Sequence, residues 1–533
     1  MPNPVKIKLN LLRRHSESDW TRPASVRIPR VRRLLSSSSE IVFGLGLGAA
    51  MIMAQSRTDP KPQRWELLFQ QGHLEEAKNE LQNALKENPN SLEQLVSLSR
   101  VLLVADDFDR ATDQIRHALR LAPSNPEALT LYGHCLFREG NFELAEAQYR
   151  KSLHLDPKQA GAHLGLGRLY LTKLQPTQSI EAFQKAIDMA PSEEDHYFFA
   201  SEAYGVTRNY SRQVECLEKY LSLRPKFSEE RVQNARALLT FFRSLENQPV
   251  ARIAESARPY VIPFQPFYGL MLVEVQVNGQ GPYRFLVDSG ATATVLSNAL
   301  LDELKIPTLS NAVTSCVGGT GKTTTRLAKV DRLRVGELEF SNLPVSSFDN
   351  TIFAELIDGV LSTADLADFL ITLDYPDQKI LLKPVPAASA PKPVVEVASS
   401  GVEVPFRILG NLILLPVSIN KQSAQNFLFD TGAVTSALSK RQAAFLGVRD
   451  DTPKAKVDLQ FAGACGVTQS VLSVDQVDLS LQTLKTPYAK ILAVELKEIS
   501  KELRTEVSGI LGGDFYSKRK VTIDYHNTRL IIE

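Results

Sequence analysis

Phe285-Leu286-Val287-Asp288-Ser289-Gly290-Ala291-Thr292-Ala293-Thr294-Val295-Leu296-Ser297 returns 142 residues later as Phe427-Leu428-Phe429-Asp430-Thr431-Gly432-Ala433-Val434-Thr435-Ser436-Ala437-Leu438-Ser439. Each copy reads as an apolar strand that ends on an Asp-Ser/Thr-Gly turn and leaves through a run of small and β-branched residues. Two copies predict two related lobes, each bringing one carboxylate, Asp288 or Asp430, to a shared site.

The duplication extends outward from both turns. Upstream, Leu270–Gly279 and Pro282–Asp288 read as strands joined by an Asn278-Gly279 hairpin turn. Asn411–Asn420 and Gln425–Asp430 are their second copies. Downstream, Ile371-Thr372-Leu373-Asp374-Tyr375 closes the first lobe as Val521-Thr522-Ile523-Asp524-Tyr525 closes the second. Residues 384–401, rich in Pro, Ala, Ser and Val, form a linker, so the lobes span 267–383 and 402–533. Residues 248–266, broken by Pro249, Pro259, Pro263 and Pro266, read as a lead-in.

An Asp on a glycine turn at a strand end is held rigidly, and a neighbouring hydroxyl can brace the turn across a two-fold axis. Two such carboxylates face to face cannot both ionise easily and share a proton. One then activates water as a general base and the other donates to a carbonyl, which is peptide hydrolysis without metal or covalent intermediate. No cofactor or metal is called for: the eight histidines are dispersed with no His-x-x-x-His pair. Gly318-Gly319-Thr320-Gly321-Lys322-Thr323 mimics a phosphate-binding loop, but Cys316 stands where that motif requires glycine.

The paired turns, with Ile357-Asp358-Gly359-Val360-Leu361 and Val507-Ser508-Gly509-Ile510-Leu511-Gly512 downstream, resemble the retroviral-type (retropepsin-like) aspartic peptidases. The resemblance covers roughly 267–533 and implies catalytic Asp288 and Asp430, supported by Ser289, Gly290, Thr431, Gly432, Gly359 and Gly509. It further implies a flap from each lobe, with Gly318 and Gly319 in one tip and Gly463 and Gly466 in the other. By that assignment each flap carries one cysteine, Cys316 or Cys465; two unrelated small residues is the simpler reading, and an oxidised link between flaps the alternative. Retropepsins are homodimers, so the lobes pair either within this chain as a fused dimer or between chains. After Gly359 the first lobe reads Ser362-Thr363-Ala364-Asp365, where the second keeps Gly512-Gly513-Asp514.

Ahead of the lobes, Pro89, Pro123, Pro157, Pro191 and Pro225 fall 34 residues apart, with small residues in constant phase such as Ala77, Ala111 and Ala145. Small residues let helices cross closely and each proline stops the second helix of a unit. The period and residue classes resemble the tetratricopeptide repeat. About five units fit within 61–225, the fifth with Gln213 and Tyr220 where small residues are expected, and 227–247 reads as a capping helix, giving a domain over 61–247. The implied partner is a protein or peptide on the concave surface; a rigid spacer is the plainer role.

Residues 1–60 form a basic leader, with nine Lys/Arg against three acidic residues in 1–40, then 14 uncharged apolar residues, 41–54. A membrane span needs about 20 residues, so 41–54 reads as a signal-peptide core or membrane tether and predicts an exported, periplasmic or membrane-tethered protein. A net charge of +1 gives no reason to expect nucleic acid. The expected fold class is therefore multidomain α and β: an α-solenoid of tetratricopeptide repeats, then two β-rich retropepsin-like acid-protease lobes. The expected function is aspartic endopeptidase, and the alternative a peptide-binding scaffold with little or no catalysis.

Overall fold

The computed structural model describes residues 63–533 apart from 226–228, 247–250, 253–258, 317–320, 350–355, 386–400, 453–454, 458–460, 464–465 and 469–470. The leader and most of the 384–401 linker lie outside the described residues. Among the described residues no helix is long and apolar enough to cross a membrane.

Ten helices form five antiparallel pairs: α1 (Arg64–Gln70) with α2 (Leu74–Glu87), α3 (Leu92–Val104) with α4 (Phe108–Leu121), α5 (Pro126–Arg138) with α6 (Phe142–Leu155), α7 (Ala160–Thr172) with α8 (Pro176–Met189), and α9 (Glu194–Val206) with α10 (Tyr210–Ser222). The second helix of each of the first four pairs ends two residues before the periodic proline, because the residue before proline is driven out of the α region. Packing follows the small-large alternation. A Cβ at Gly133 would lie 2.4 Å, and one at Gly165 2.3 Å, from the ring of buried Tyr149, so α5 and α7 close on that ring only as glycines. The fifth unit reverses the pattern: buried Tyr220 packs on Ala235 of the next helix, α11 (Glu229–Leu245), which caps the array.

In the first lobe, strand Gly359–Ser362 runs parallel to Gln280–Asp288, with Gly359 opposite Phe285 and Ser362 opposite Asp288, and antiparallel to Val295–Ser297. The second lobe repeats this with Gly509–Leu511 against Gln425–Phe429 and Ala437–Ser439. Threading a strand between two others leaves no room for side chains: a Cβ at Gly359 would sit 2.5 Å from the Phe285 ring and one at Gly509 2.3 Å from that of Phe427. The expected Asn278-Gly279 turn is present, both residues having positive φ (50° and 79°), as a two-residue hairpin demands.

The lobes pair within one chain. The closing strands Phe369–Asp374 and Lys520–Asp524 are antiparallel neighbours in one six-stranded sheet, with Ile371 opposite Ile523, and the Thr372 and Thr522 hydroxyls are 2.9 Å apart. The first lobe begins before residue 267: Tyr260–Pro263 is the outer strand of that sheet, against Lys379–Leu382. Of the prolines that suggest a linker, Pro263 and Pro266 lie on strands at sheet edges, where a missing N–H costs nothing, Pro259 directly precedes one, and Pro249 lies outside the described residues. A single core runs through both lobes, from Phe285 and Val287 to Phe427, Phe429 and Tyr516. Each fully buried large apolar side chain there contributes roughly 1.5–3 kcal/mol.

Residues Pro62–Glu533 form one compact unit, so the repeat array is no free arm. Its loops and inner helices grip the second lobe: Thr505 Oγ1 donates to the Phe137 carbonyl (2.7 Å) and Glu506 N to that of Arg138 (2.8 Å). Cap helix α11 holds the first lobe, where Asn234 donates to and accepts from the backbone of Val313, both at 2.8 Å.

Candidate active site

The two Asp turns meet at the pseudo-two-fold axis. Ser289 Oγ donates to the Phe429 carbonyl (2.7 Å) and accepts from Thr431 N (3.1 Å). Reciprocally, Thr431 Oγ1 donates to the Val287 carbonyl (3.0 Å) and accepts from Ser289 N (2.9 Å). All four bonds cross between lobes, and both hydroxyl residues are buried. The serine and threonine thus occupy equivalent places despite their difference.

This brace brings the carboxylates together. Gly432 N donates both to Asp430 Oδ1 (2.9 Å) and across the interface to Asp288 Oδ1 (3.0 Å). Gly290 N donates to Asp288 Oδ1 (2.6 Å). Neither glycine position has room for a side chain: a Cβ at Gly290 would lie 2.6 Å from Asp430 Cγ, and one at Gly432 2.6 Å from Asp288 Cγ. Burial raises both carboxyls above the ordinary range. For Asp288, hydrogen bonds from Gly290, Asp430 and Gly432 oppose the rise. For Asp430, the neighbouring Asp288 charge adds to burial and lifts it well above that range. Burial and the close approach of the two carboxyls thus oppose ionising both at once, so the pair shares a proton.

Behind the turns stands a second pair of aspartates that the turn motif alone does not disclose. Thr294 N donates to Asp365 (2.8 Å) and Ser436 N to Asp514 (2.8 Å), each amide lying six residues after its own turn Asp. Asp365 and Asp514 follow Gly359 and Gly509 by six and five residues, and that one-residue offset hid the correspondence. Ser362 occupies the place of Gly512 without disturbing Asp288, its hydroxyl donating to the Ala291 carbonyl (2.6 Å). Tyr516, also unforeseen, donates to the Asp430 carbonyl (2.8 Å) and fixes the second turn from below.

Around the carboxylates the cleft presents exposed apolar groups, with Tyr268 77% and Val434 48% accessible. Gly318 and Gly319 lie outside the described residues. Below them, Thr308–Ser315 pairs with Lys322–Val335, ending at Ser315 opposite Lys322. A strand, not a helix, follows the glycine run, so no phosphate-binding loop forms. Gly463 and Gly466 face one another in a two-stranded ladder, Phe461–Gly463 with Gly466–Thr468. Cys316 is disulfide-bonded, against the reading of two unrelated small residues, while Cys135 and Cys216 are free thiols. Cys465, the remaining cysteine of the four, lies outside the described residues.

The fold and site define a two-lobed, retropepsin-like aspartyl protease architecture preceded by a helical repeat array. Matches to family models agree: an aspartyl protease family over residues 273–364 and 415–515, and a tetratricopeptide repeat family over 66–126, 96–160 and 136–194. No curated protein matches the chain. Among solved structures, MamA is 21% identical, covering 30% of this chain and 95% of its own, with a TM-score of 0.24. The thermophilic repeat protein TTC0263 of Thermus thermophilus is 20% identical over 33% of this chain and 95% of its own, with a TM-score of 0.29. YrrB, a repeat protein with an unusual peptide-binding site, is 20% identical over 30% and 83%, with a TM-score of 0.22. Scores this low add nothing to the argument from the chain itself.

Proposed function

We propose that the protein is an aspartic endopeptidase whose dyad is Asp288 and Asp430. The observation that carries this reading is the Gly432 N–H shared by carboxylates of both lobes (2.9 and 3.0 Å), which places two acids of unequal proton affinity on one donor. Ionised Asp288 takes a proton from a water held between the carboxylates. The resulting hydroxide adds to the scissile carbonyl carbon as Asp430 gives its proton to the carbonyl oxygen. Collapse of the tetrahedral intermediate breaks the C–N bond: one gem-diol hydroxyl returns a proton to Asp430 as the proton held on Asp288 leaves with the amine, which restores the dyad. Tyr268 and Val434 supply apolar contacts for side chains beside that bond. The Cys316 disulfide and the basic, apolar leader support an exported or membrane-tethered enzyme, since disulfides persist in oxidising compartments.

The test uses the full chain with a reduced, alkylated protein as substrate, across pH and with pepstatin. Asp288→Asn and Asp430→Asn should each lower kcat at least 1,000-fold while the thermal transition is retained, a loss of about 4 kcal/mol of transition-state stabilisation. Cleavage that survives in the double variant rules the dyad out.

A further inference from the structure

The concave face of the repeats does not point to open solvent. A continuous cavity of about 2430 Å³ is lined at one end by Asp288 and Asp430 and at the other by the inner helices of the array. The lining follows helical stripes: Gly161, Leu164, Arg168 and Leu171 along α7, and Asp195, Phe198, Glu202 and Val206 along α9. Residues three and four apart share one face of a helix, so the repeats turn whole faces toward the dyad. These faces are not sealed against the lobes, for Glu202 and Val206 remain exposed within the cavity.

The array cannot offer this face to a separate partner. Leu503–Glu506 of the second lobe is inserted against it, with Arg504 3.7 Å from Asp195 and its guanidinium 4.8 Å from the Phe199 ring centre. The backbone bonds from Thr505 and Glu506, and the Asn234–Val313 pair on the other lobe, hold both ends. Any molecule on the concave face is therefore in the same chamber as the dyad.

We infer that the inner face of the repeats is the outer wall of the substrate cleft, and that it binds the stretch of an unfolded polypeptide lying beyond the residues that flank the scissile bond. This deepens the peptidase reading and rests on it. The wall has the chemistry such a chain needs. The Arg168 guanidinium lies over the Phe137 and Phe199 rings, 4.0 and 4.7 Å from their centres, contacts that position it without neutralising its charge. Glu202 supplies an acceptor, and Leu164, Leu171 and Val206 supply apolar contacts between the charges. Size selects for disorder: a folded domain of 100 residues has a radius of gyration of about 13 Å, a sphere several times larger than the cavity. The repeats are then a specificity element of the enzyme, reading length and disorder.

The experiment compares two probes on the full-length protein: reduced, carboxymethylated ribonuclease, and a fluorogenic octapeptide copied from one of its cleavage sites. Ala160→Trp narrows the chamber at the start of α7, and Glu202→Lys, at an exposed side chain, changes its charge without touching the core. Each should lower kcat/KM for the unfolded protein at least tenfold, chiefly through KM, and leave the octapeptide within twofold. A parallel anisotropy titration of labelled, carboxymethylated ribonuclease separates this inference from the dyad. Asp288→Asn should keep binding and lose cleavage, whereas the wall variants should lose binding. Equal losses on both probes, or unchanged binding in both wall variants, overturn the inference. Uncleaved octapeptide with wall-dependent binding overturns the peptidase reading and leaves the wall standing.

Discussion

Replacing Thr431 with valine tests whether the cross-lobe brace holds the site. The substitution conserves shape but deletes the hydroxyl that donates to the Val287 carbonyl (3.0 Å) and accepts from Ser289 N (2.9 Å). Thr431 is 0% and Ser289 1% accessible, so water cannot replace either bond. Each orphaned buried group costs about 1–3 kcal/mol, which makes roughly 2–6 kcal/mol for the pair. In a domain of this size each kcal/mol lowers Tm by about 2–4 °C, so the peptidase transition should fall by at least about 4 °C in differential scanning calorimetry. The control is Thr431→Ser. The other lobe already uses serine at the equivalent place, and losing one buried methyl costs only about 0.8 kcal/mol. A Thr431→Val protein that melts within 1 °C of the parent, or a Thr431→Ser protein that falls as far as the valine variant, refutes the reasoning.

Three further outcomes follow from the same geometry. Gly432→Ala should fold and yet lose at least a hundredfold in kcat, because its Cβ would sit 2.6 Å from the Asp288 carboxyl carbon and displace it; activity within threefold of the parent would show that the turn yields instead. Asp430, raised well above the ordinary range by burial and by Asp288, keeps in the native state a proton that the unfolded chain has released. Stability should thus fall as pH rises from about 4 through the native value, activity should fade over that same rise, and Asp430→Asn should melt higher at pH 7; a lower Tm for the variant reverses the sign and contradicts the assignment. Asp365→Ala and Asp514→Ala should each destabilise by about 1–3 kcal/mol, because the Thr294 and Ser436 amides they orphan are 0% and 1% accessible; an unchanged urea midpoint in either variant would contradict this.

What could be read from the sequence was local chemistry repeated at a fixed distance. The turn Asp residues, their Ser/Thr neighbours and the threading glycines each declare themselves by residue type, because no substitute fits the space or supplies the hydroxyl. The repeat array declares itself by period. The edge strand Tyr260–Pro263 was hidden because its proline is harmless only where the neighbouring position is empty, a fact of sheet order. Asp365 and Asp514 were hidden by a one-residue difference in the segments that follow Gly359 and Gly509. The placement of the array over the dyad left no local trace. It rests on contacts such as Thr505 with Phe137, 368 residues apart, made by backbone carbonyls that every residue possesses.

Fusion of the two lobes explains why those long-range contacts matter. In a symmetric dimer each turn glycine would serve its carboxylates identically, and the proton would have no preferred side. Here Gly432 N–H reaches both carboxylates, while Gly290 N–H supports only Asp288 and the Ala433 backbone only Asp430, so the two acids sit among different donors. On the proposed mechanism, unequal surroundings are what let one acid act as base and the other as donor. The same asymmetry allows one repeat array where a symmetric dimer would carry two. The inner helices bind Leu503–Glu506 of the second lobe and α11 binds Thr308–Ser315 of the first, surfaces that are not copies of one another. On the proposed reading, a cleft with one wall built by the repeats and two non-equivalent acids imposes a single direction on a bound chain, which a two-fold symmetric site cannot do.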